Sequence, residues 1–312
     1  MTRAFVFPGQ GSQKIGMGQA LADAFEPARD VFARVDEALS DNLSALMWTG
    51  EADQLQLTHN AQPALMAVSL AVVECLKADG KPIQQLASHV AGHSLGEYSA
   101  LAAVEAFDIE TTAKLLRKRG EAMQSAVPVG EGAMAAVLGL SIDQISDVIV
   151  KAQSAGVVVA ANDNADGQIV ISGTKAAVDQ AADLAKEAGA RKVMPLPVSA
   201  PFHSPLMQPA ADVMAEALDA VTITAPLLPV IQNVPAAPVS DPAEIKANLV
   251  EQVCASVRWR ESVAGFRALG ITDQVEIGAG KVLSGLVRRI DRDIATANIE
   301  TPEDLEAFAA SL

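Results

Sequence analysis

The apolar and polar positions change rhythm several times along the chain. "RAFVFPGQGSQ" starts as an unbroken apolar run and ends in a glycine-rich loop, which predicts a strand buried on both faces. Helical spacing follows from about Met17 to Leu39. "QPALMAVSLAVVECLKADG" predicts an almost wholly apolar helix closed by Gly80. Next come a short strand, "ASHVAG", a turn around Ser94, and helices over "LGEYSALAAVEA" and "IETTAKLLRKRGEAMQ".

Between Pro128 and Pro197 the pattern shortens. "GAMAAVLGL" reads as a strand, and "IDQISDVIVKAQSAG" puts Ile142, Ile145, Val148, Ile149 and Ala152 on one helical face. "VVVAAN" and "GQIVISG" are two strands separated by a polar turn. A helix, "KAAVDQAADLAKEAG", and a strand, "RKVMPLPV", follow. The order β-α-β-β-α-β is ferredoxin-like, so residues 128–198 are expected to form a subdomain inserted between core segments 1–127 and 199–312. The later chain predicts a helix over "PLMQPAADVMAEALDAV", a strand in "PLLPVIQNV" and helices near 241–254 and 258–269. "TDQVEIG" is a further strand, and helices over "KVLSGLVRRI" and at the C-terminus end the pattern. Strands alternating with helices give an α/β class with a mostly parallel sheet and helices on both faces.

Composition narrows the function. The 312 residues suffice for a large core, with half of them hydrophobic and a fifth charged. A net charge of −15 argues against nucleic acid or an anionic membrane as partner. "MTRAFVFPGQ" lacks the apolar run of a signal peptide or membrane span, so a cytoplasmic location is expected. Cys75 and Cys254, each in a helix-like pattern, are expected as buried free thiols. The four histidines are scattered without metal-ligand spacing, and neither metal nor cofactor is expected.

The sharpest chemical signal is Gly92-His93-Ser94-Leu95-Gly96. G-x-S-x-G between a short strand and a helix is the setting of a serine nucleophile on a tight turn. A serine hydroxyl needs a base to take its proton. His93 adjoins Ser94 on a turn that points neighbours apart. His89 lies on the incoming strand, and His59 fits a loop that caps a helix. His203, in the proline-punctuated "SAPFHSPLM", occupies a loop before a helix and follows the serine in hydrolase chain order. The residues favour His203 without settling it. No acidic residue stands out to orient the imidazole, so a backbone carbonyl or an amide is an alternative. The opening glycine loop fails as a dinucleotide fingerprint at Lys14 and as a P-loop at Met17. Its backbone N–H groups suit an oxyanion, Gln10 completing a hole with the N–H of Leu95. Lys114, Arg117, Lys118 and Arg119 share one helix. An inward arginine there would hold a carboxylate, and periodicity does not say which faces inward.

Together these motifs resemble one family over nearly the whole chain, the malonyl-CoA:acyl carrier protein transacylases and their polyketide synthase relatives. "VFPGQGSQ", "NAQPAL", "GHSLGEYSAL", "RG", "GAMAAVLGL", "GQIVISG", "SAPFHS", "LVEQV…VRW" and "EIGAGKVLSGL" appear in family order. The resemblance implies an α/β-hydrolase-like core with an inserted ferredoxin-like subdomain. It implies Ser94 as the acylated residue, His203 as its base and Gln10 and Leu95 N–H groups as the oxyanion hole. Arg119 would pair with the malonyl carboxylate, a backbone carbonyl near Gln252 would hold the histidine, and Gln62 would line the pocket. Phe202 resembles the malonyl-selecting form of the polyketide relatives. Ala279, Asp166 and Glu105 depart from the family pattern at loop and helix-end positions, and Asn162 and Asn164 carry no assigned role.

The implied activity moves a malonyl group from malonyl-CoA to the phosphopantetheine thiol of acyl carrier protein, in fatty acid synthesis, through a malonyl-serine. A serine thioesterase or a polyketide-pathway acyltransferase are the alternatives, with a non-enzymatic binding module as a third. A monomer is expected. Because the carrier protein is acidic like this chain, docking requires a local basic patch, drawn from Lys114, Lys118, Arg191, Lys192, Lys281, Arg288 and Arg289.

Overall fold

In a computed structural model describing residues 2–198 and 200–312, the strands are β1 (Thr2–Phe7), β2 (His89–Gly92), β3 (Gly132–Leu138), β4 (Val158–Ala165), β5 (Gln168–Thr174), β6 (Lys192–Pro195), β7 (Val230–Gln232), β8 (Ala237–Val239), β9 (Ile271–Ile277) and β10 (Ala295–Ile299). Met1 and Ser199, the latter opening the "SAPFHS" run, lie outside the described residues. Six strands form one sheet in the order β10-β9-β1-β2-β7-β8, parallel except for the β7–β8 pair. The fold is therefore mixed α/β with a parallel-dominated sheet, as the alternation of patterns predicts.

β1 shows why its sequence is apolar throughout. Phe5 and Phe7 enter the core on one face of the sheet, while Ala4 and Val6 enter a second core with Trp259, Phe266 and Val287 on the other. The helix Thr58–Ala78 fills the first core. By length and composition it could cross a membrane, but 83% of its apolar window is buried inside the protein. It begins before the predicted start at Gln62, with Pro63 inside it, so His59 lies within the helix and not in a capping loop. The helix after Ser94 ends at Ala103, short of the predicted span. Just beyond it, Glu105 takes φ 61, a conformation glycine adopts freely.

The strands β4-β5-β3-β6 form a second, wholly antiparallel sheet. Helices Ile142–Ala152 and Lys175–Glu187 pack on it. Ile145, Val148 and Ala152 are buried there, and Ile142 and Ile149 lie against the same core. β4 runs further than predicted. Asn162, Asp163 and Asn164 belong to the strand, through two irregularities in its pairing with β5, and only Asp166 and Gly167 make the turn. Those three polar residues tie this sheet to the larger unit. Val257 N–H donates to Ala161 O at 2.9 Å, and Asp163 N–H donates to Val257 O at 3.0 Å. Arg260 Nε donates to both Asp163 carboxylate oxygens, at 3.1 and 2.9 Å.

Three other features escaped the sequence pattern. β8 and β10, "APV" and "ATANI", are short edge strands with only one buried residue each, Val239 and Ile299. Cys254 lies just past the helix Pro242–Gln252 and is only half-buried, whereas Cys75 is buried; both thiols are free.

Register positions the functional loops. Phe7 pairs with Gly92, so the segments leaving β1 and β2 emerge side by side at the carboxyl end of the sheet, where open α/β folds place their sites. The approach leaves no room for side chains. A Cβ on Gly96 would stand 2.2 Å from Phe7 O, and one on Gly92 would stand 1.9 Å from Gly96 O. Gly96→Ala is expected to lower stability by about 1–3 kcal/mol, the usual cost of overpacking. Gly285→Ala, on an exposed helix face with nothing within 4 Å, is expected to raise it by about 0.5–1 kcal/mol. Urea denaturation of both variants checks the pair.

Candidate active site

Ser94 sits at φ 53 and ψ −111, between β2 and the helix Leu95–Ala103. A non-glycine residue held there stores about 1–3 kcal/mol of strain, which the surroundings must over-determine. Asn233, just past β7, supplies the restraint. Its Oδ1 accepts from Ser94 N–H at 2.8 Å and its Nδ2 donates to Gly92 O at 2.6 Å, bracketing the turn. Asn233 is itself fixed by Glu97, whose carboxylate accepts from Asn233 N–H at 2.7 Å and from Gln232 Nε2 at 2.8 Å. Glu97 is 0% exposed, and burial pushes its carboxyl up to about 7.

His203 is the histidine brought to Ser94. The Ser94 hydroxyl donates to His203 Nε2 at 2.8 Å. His203 Nδ1 lies 2.9 Å from the backbone carbonyl of Gln252, which only accepts, so the proton resides on Nδ1 and Nε2 is free to accept. His203 is 4% exposed and takes φ 55 in its proline-flanked loop. Burial, and next the charge of Arg119, hold its pKa down to about 3, keeping the ring neutral at ordinary pH. His93 points away, its Nε2 2.8 Å from Asn164 Oδ1 on β4. His89 is on β2, and His59 is in the helix Thr58–Ala78.

The structure separates the four cations of the helix Ile109–Ser125. Lys114 and Lys118 are exposed, Arg117 pairs with Asp41 at 2.8 Å, and Arg119 is 1% exposed. Arg119 Nη1 donates to Gln62 Oε1 at 2.8 Å. Its Nη2 donates to Gln252 Oε1 at 2.9 Å and to Ser94 Oγ at 3.1 Å. All three acceptors are neutral, Nε has no partner, and no ion pair to Arg119 occurs among the described residues. Burying a cation without its anion is costly, so the arrangement points to an anionic ligand group beside the serine.

The remaining sequence candidates border the same place. Gln62 Nε2 donates to Thr58 Oγ1 at 2.8 Å, and Thr58 donates to Gln10 Oε1 at 2.9 Å, so a chain of neutral groups runs from Arg119 to the glycine loop. Gln10, Leu95 and Phe202 line a cleft of about 210 Å³ together with Ser94, Arg119 and His203. Met134 and Asn162 close it from the antiparallel sheet. Asn164 instead braces His93. Sequence reasoning missed Asn233 and left Glu97 without a role. Asn233 follows the apolar "PVIQ" at a strand's carboxyl end, and that position is the signal that could have singled it out.

Known proteins resemble this chain closely in sequence and fold. Residues 4–299 match the family described as the acyl transferase domain. The malonyl CoA-acyl carrier protein transacylase of Bacillus subtilis is 48% identical over 310 residues, 99% of this chain and 96% of that protein. The crystal structure of an acyl-carrier-protein-S-malonyltransferase from Bartonella henselae superposes with a TM-score of 0.98 at 51% identity, covering 100% of this chain and 99% of the other. A malonyl-transacylase solved in complex with its type II PKS acyl-carrier protein gives a TM-score of 0.96 at 38% identity, each chain covered in full. By sequence over almost its whole length and by fold, the chain belongs to the acyl transferase family.

Proposed function

We infer that the protein is a malonyl-CoA:acyl carrier protein transacylase that serves fatty acid synthesis. The observation that carries this reading is the buried guanidinium of Arg119, without a counter-ion, 3.1 Å from a serine whose hydroxyl lies 2.8 Å from a histidine. A hydrolase of simple thioesters has no use for that cation, whereas a free carboxylate on the acyl group satisfies it.

Ser94 Oγ attacks the thioester carbon of malonyl-CoA as its proton passes to His203 Nε2. The carbonyl oxygen becomes an oxyanion held by the N–H groups of Gln10 and Leu95. Collapse breaks the C–S bond, the CoA sulfur takes the proton from His203, and a malonyl-serine ester remains. The phosphopantetheine thiol of the carrier protein then gives its proton to His203 and attacks the ester, and Ser94 leaves with that proton. Arg119 holds the malonyl carboxylate throughout, with Gln62 and Gln252 fixing the guanidinium. The carbonyl of Gln252 fixes the tautomer of His203, which is the role of the acid in a triad.

The catalytic unit is an α/β-hydrolase-like core of residues 1–127 and 199–312, and residues 128–198 form a ferredoxin-like subdomain. Supporting the second assignment are the β-α-β-β-α-β order and a sheet in which strands stand second-third-first-fourth. The protein acts as a cytoplasmic monomer on CoA and carrier thioesters, without nucleic acid, membrane or cofactor. Among the basic candidates, Arg191, Lys192 and Arg289 converge. Lys192 pairs across from Leu138, as does Gln168, and Gln168 Oε1 accepts from Arg289. These three are the proposed docking patch for the acidic carrier.

Three outcomes test the reading. Malonyl-CoA should add one malonyl group to the intact protein by mass spectrometry, absent in Ser94→Ala, and the carrier protein should remove it. Free malonate released in place of carrier loading would return the thioesterase alternative. The double variant Arg191→Glu/Lys192→Glu should raise KM for the carrier while malonyl loading keeps its rate; equal KM values would move the patch elsewhere. Glu97→Gln replaces one acceptor with a donor facing an N–H, a loss of about 1–3 kcal/mol. Felt as positioning of Ser94, it lowers kcat for loading roughly 5- to 150-fold with KM little changed. Steady-state loading kinetics decide it.

A further inference from the structure

In the resting site Arg119 and His203 address the same oxygen. Ser94 Oγ carries one proton, directed to His203 Nε2 at 2.8 Å, while Arg119 Nη2 donates to that oxygen at 3.1 Å. The guanidinium thus ties up one of the two lone pairs on the oxygen and lowers its electron density for attack on a carbonyl. It also places a full positive charge across one shared atom from the group that must become an imidazolium. The other titratable groups around this centre give little relief. His93, its ring turned to Asn164, lowers the His203 pKa further, and burial pushes the carboxyl of Glu97 and the phenol of Tyr98 toward their neutral forms.

We propose that Arg119 restrains the Ser94–His203 pair in the unliganded protein, and that the carboxylate of the incoming acyl group releases it. Pairing with the carboxylate draws the guanidinium away from Ser94 Oγ and offsets the charge opposing proton uptake by His203. The inference rests on the malonyl reading and deepens it, since it makes the substrate's own carboxylate part of the base. The charge balance of the step shows the consequence. When the Ser94 Oγ–C bond forms and the proton reaches Nε2, an acetyl group leaves a guanidinium, an imidazolium and an oxyanion, a net positive charge in a buried site. A malonyl group adds its carboxylate and brings the sum to zero. Buried net charge is costly, so preference for a carboxylated acyl group is expressed in the chemical step as well as in binding. The depressed basicity of His203, with Arg119 as its second cause after burial, agrees with this.

The test uses a small dialkyl fluorophosphate, which is neutral and lacks a carboxylate. Ser94 Oγ bonds to phosphorus, fluoride leaves, and the proton goes to His203; intact mass against time gives the rate across the acid range. His203 works only when neutral, so the rate falls as pH drops through its pKa, and removing a nearby positive charge raises that pKa. The acid limb is expected to move up by roughly one to three pH units in Arg119→Gln and Arg119→Ala, the scale on which a close charge moves a pKa. Arg119→Lys, which keeps the charge, should stay near the unsubstituted protein. In that unsubstituted protein nitrate, a small planar oxyanion that stays ionised through the acid range, should raise the limb, and chloride at equal ionic strength should not; this arm depends on no variant's folding. Coincident limbs in all four proteins, unmoved by nitrate, would overturn the proposal, and so would a lysine variant that behaves like glutamine. Failure of malonyl-CoA to acylate Ser94 is a separate result. It would remove the substrate reading while the coupling of Arg119 to the Ser94–His203 pair stayed measurable with the same reagent.

Discussion

A guanidinium held in the interior by neutral groups alone is the constraint around which this site is arranged. Unpaired buried ions cost several kcal/mol, and Arg119 tolerates its position through charge-assisted hydrogen bonds to Gln62, Gln252 and Ser94. Each of those acceptors is bound in turn. Gln62 reaches the glycine loop through Thr58 and Gln10. Gln252 gives its side-chain oxygen to Arg119, its carbonyl to His203 and its amide to Ser94 O at 3.2 Å. One glutamine therefore touches His203, Ser94 and Arg119 together. A small displacement of Gln252 would disturb all three.

The scaffold's contribution is to bring strand ends together. β1, β2 and β7 are neighbours or near neighbours in one sheet, and their carboxyl ends deliver the glycine loop, Ser94 and Asn233 to one place. The close approach of Gly96 to Phe7 O is what this convergence requires. The strain at Ser94 is restrained from the next strand by Asn233, itself held by Glu97 from the following helix. The second sheet reaches the site differently. It is pinned through Asp163 to Arg260 and through Asn164 to His93, so Met134 and Asn162 close the cleft from an element fixed along β4.

The parts of this legible in the sequence were those written in local patterns. The apolar run of β1, the long core helix and the glycines flanking Ser94 announce themselves because periodicity and turn chemistry depend on nearby residues. β8 and β10 did not, since their stability comes from pairing at a sheet edge and leaves little apolar signature. Asp163 and Asn164 read as a turn because polar residues in a strand are uncommon; they lie in one because β4 is fixed there to Val257, Arg260 and His93. Among the four cations of one helix, periodicity did not distinguish Arg119. Its burial depends on partners 57 and 133 residues away, Gln62 and Gln252, and no local window contains them. The same distance hid Asn233, which acts on a serine 139 positions earlier.

Charge is used at two depths, and the physics differs between them. The chain carries −15, and both malonyl-CoA and an acidic carrier protein are anionic, so the overall field opposes each encounter. Exposed cations such as Arg191, Lys192 and Arg289 act against that field only locally, over about a Debye length, and their effect weakens with salt. Arg119 lies out of that screening, in a medium where its charge acts strongly on whatever enters and on His203 beside it. Charges at the surface act on an encounter, and a buried charge acts on what has already entered; the two are separable because salt screening reaches only the first.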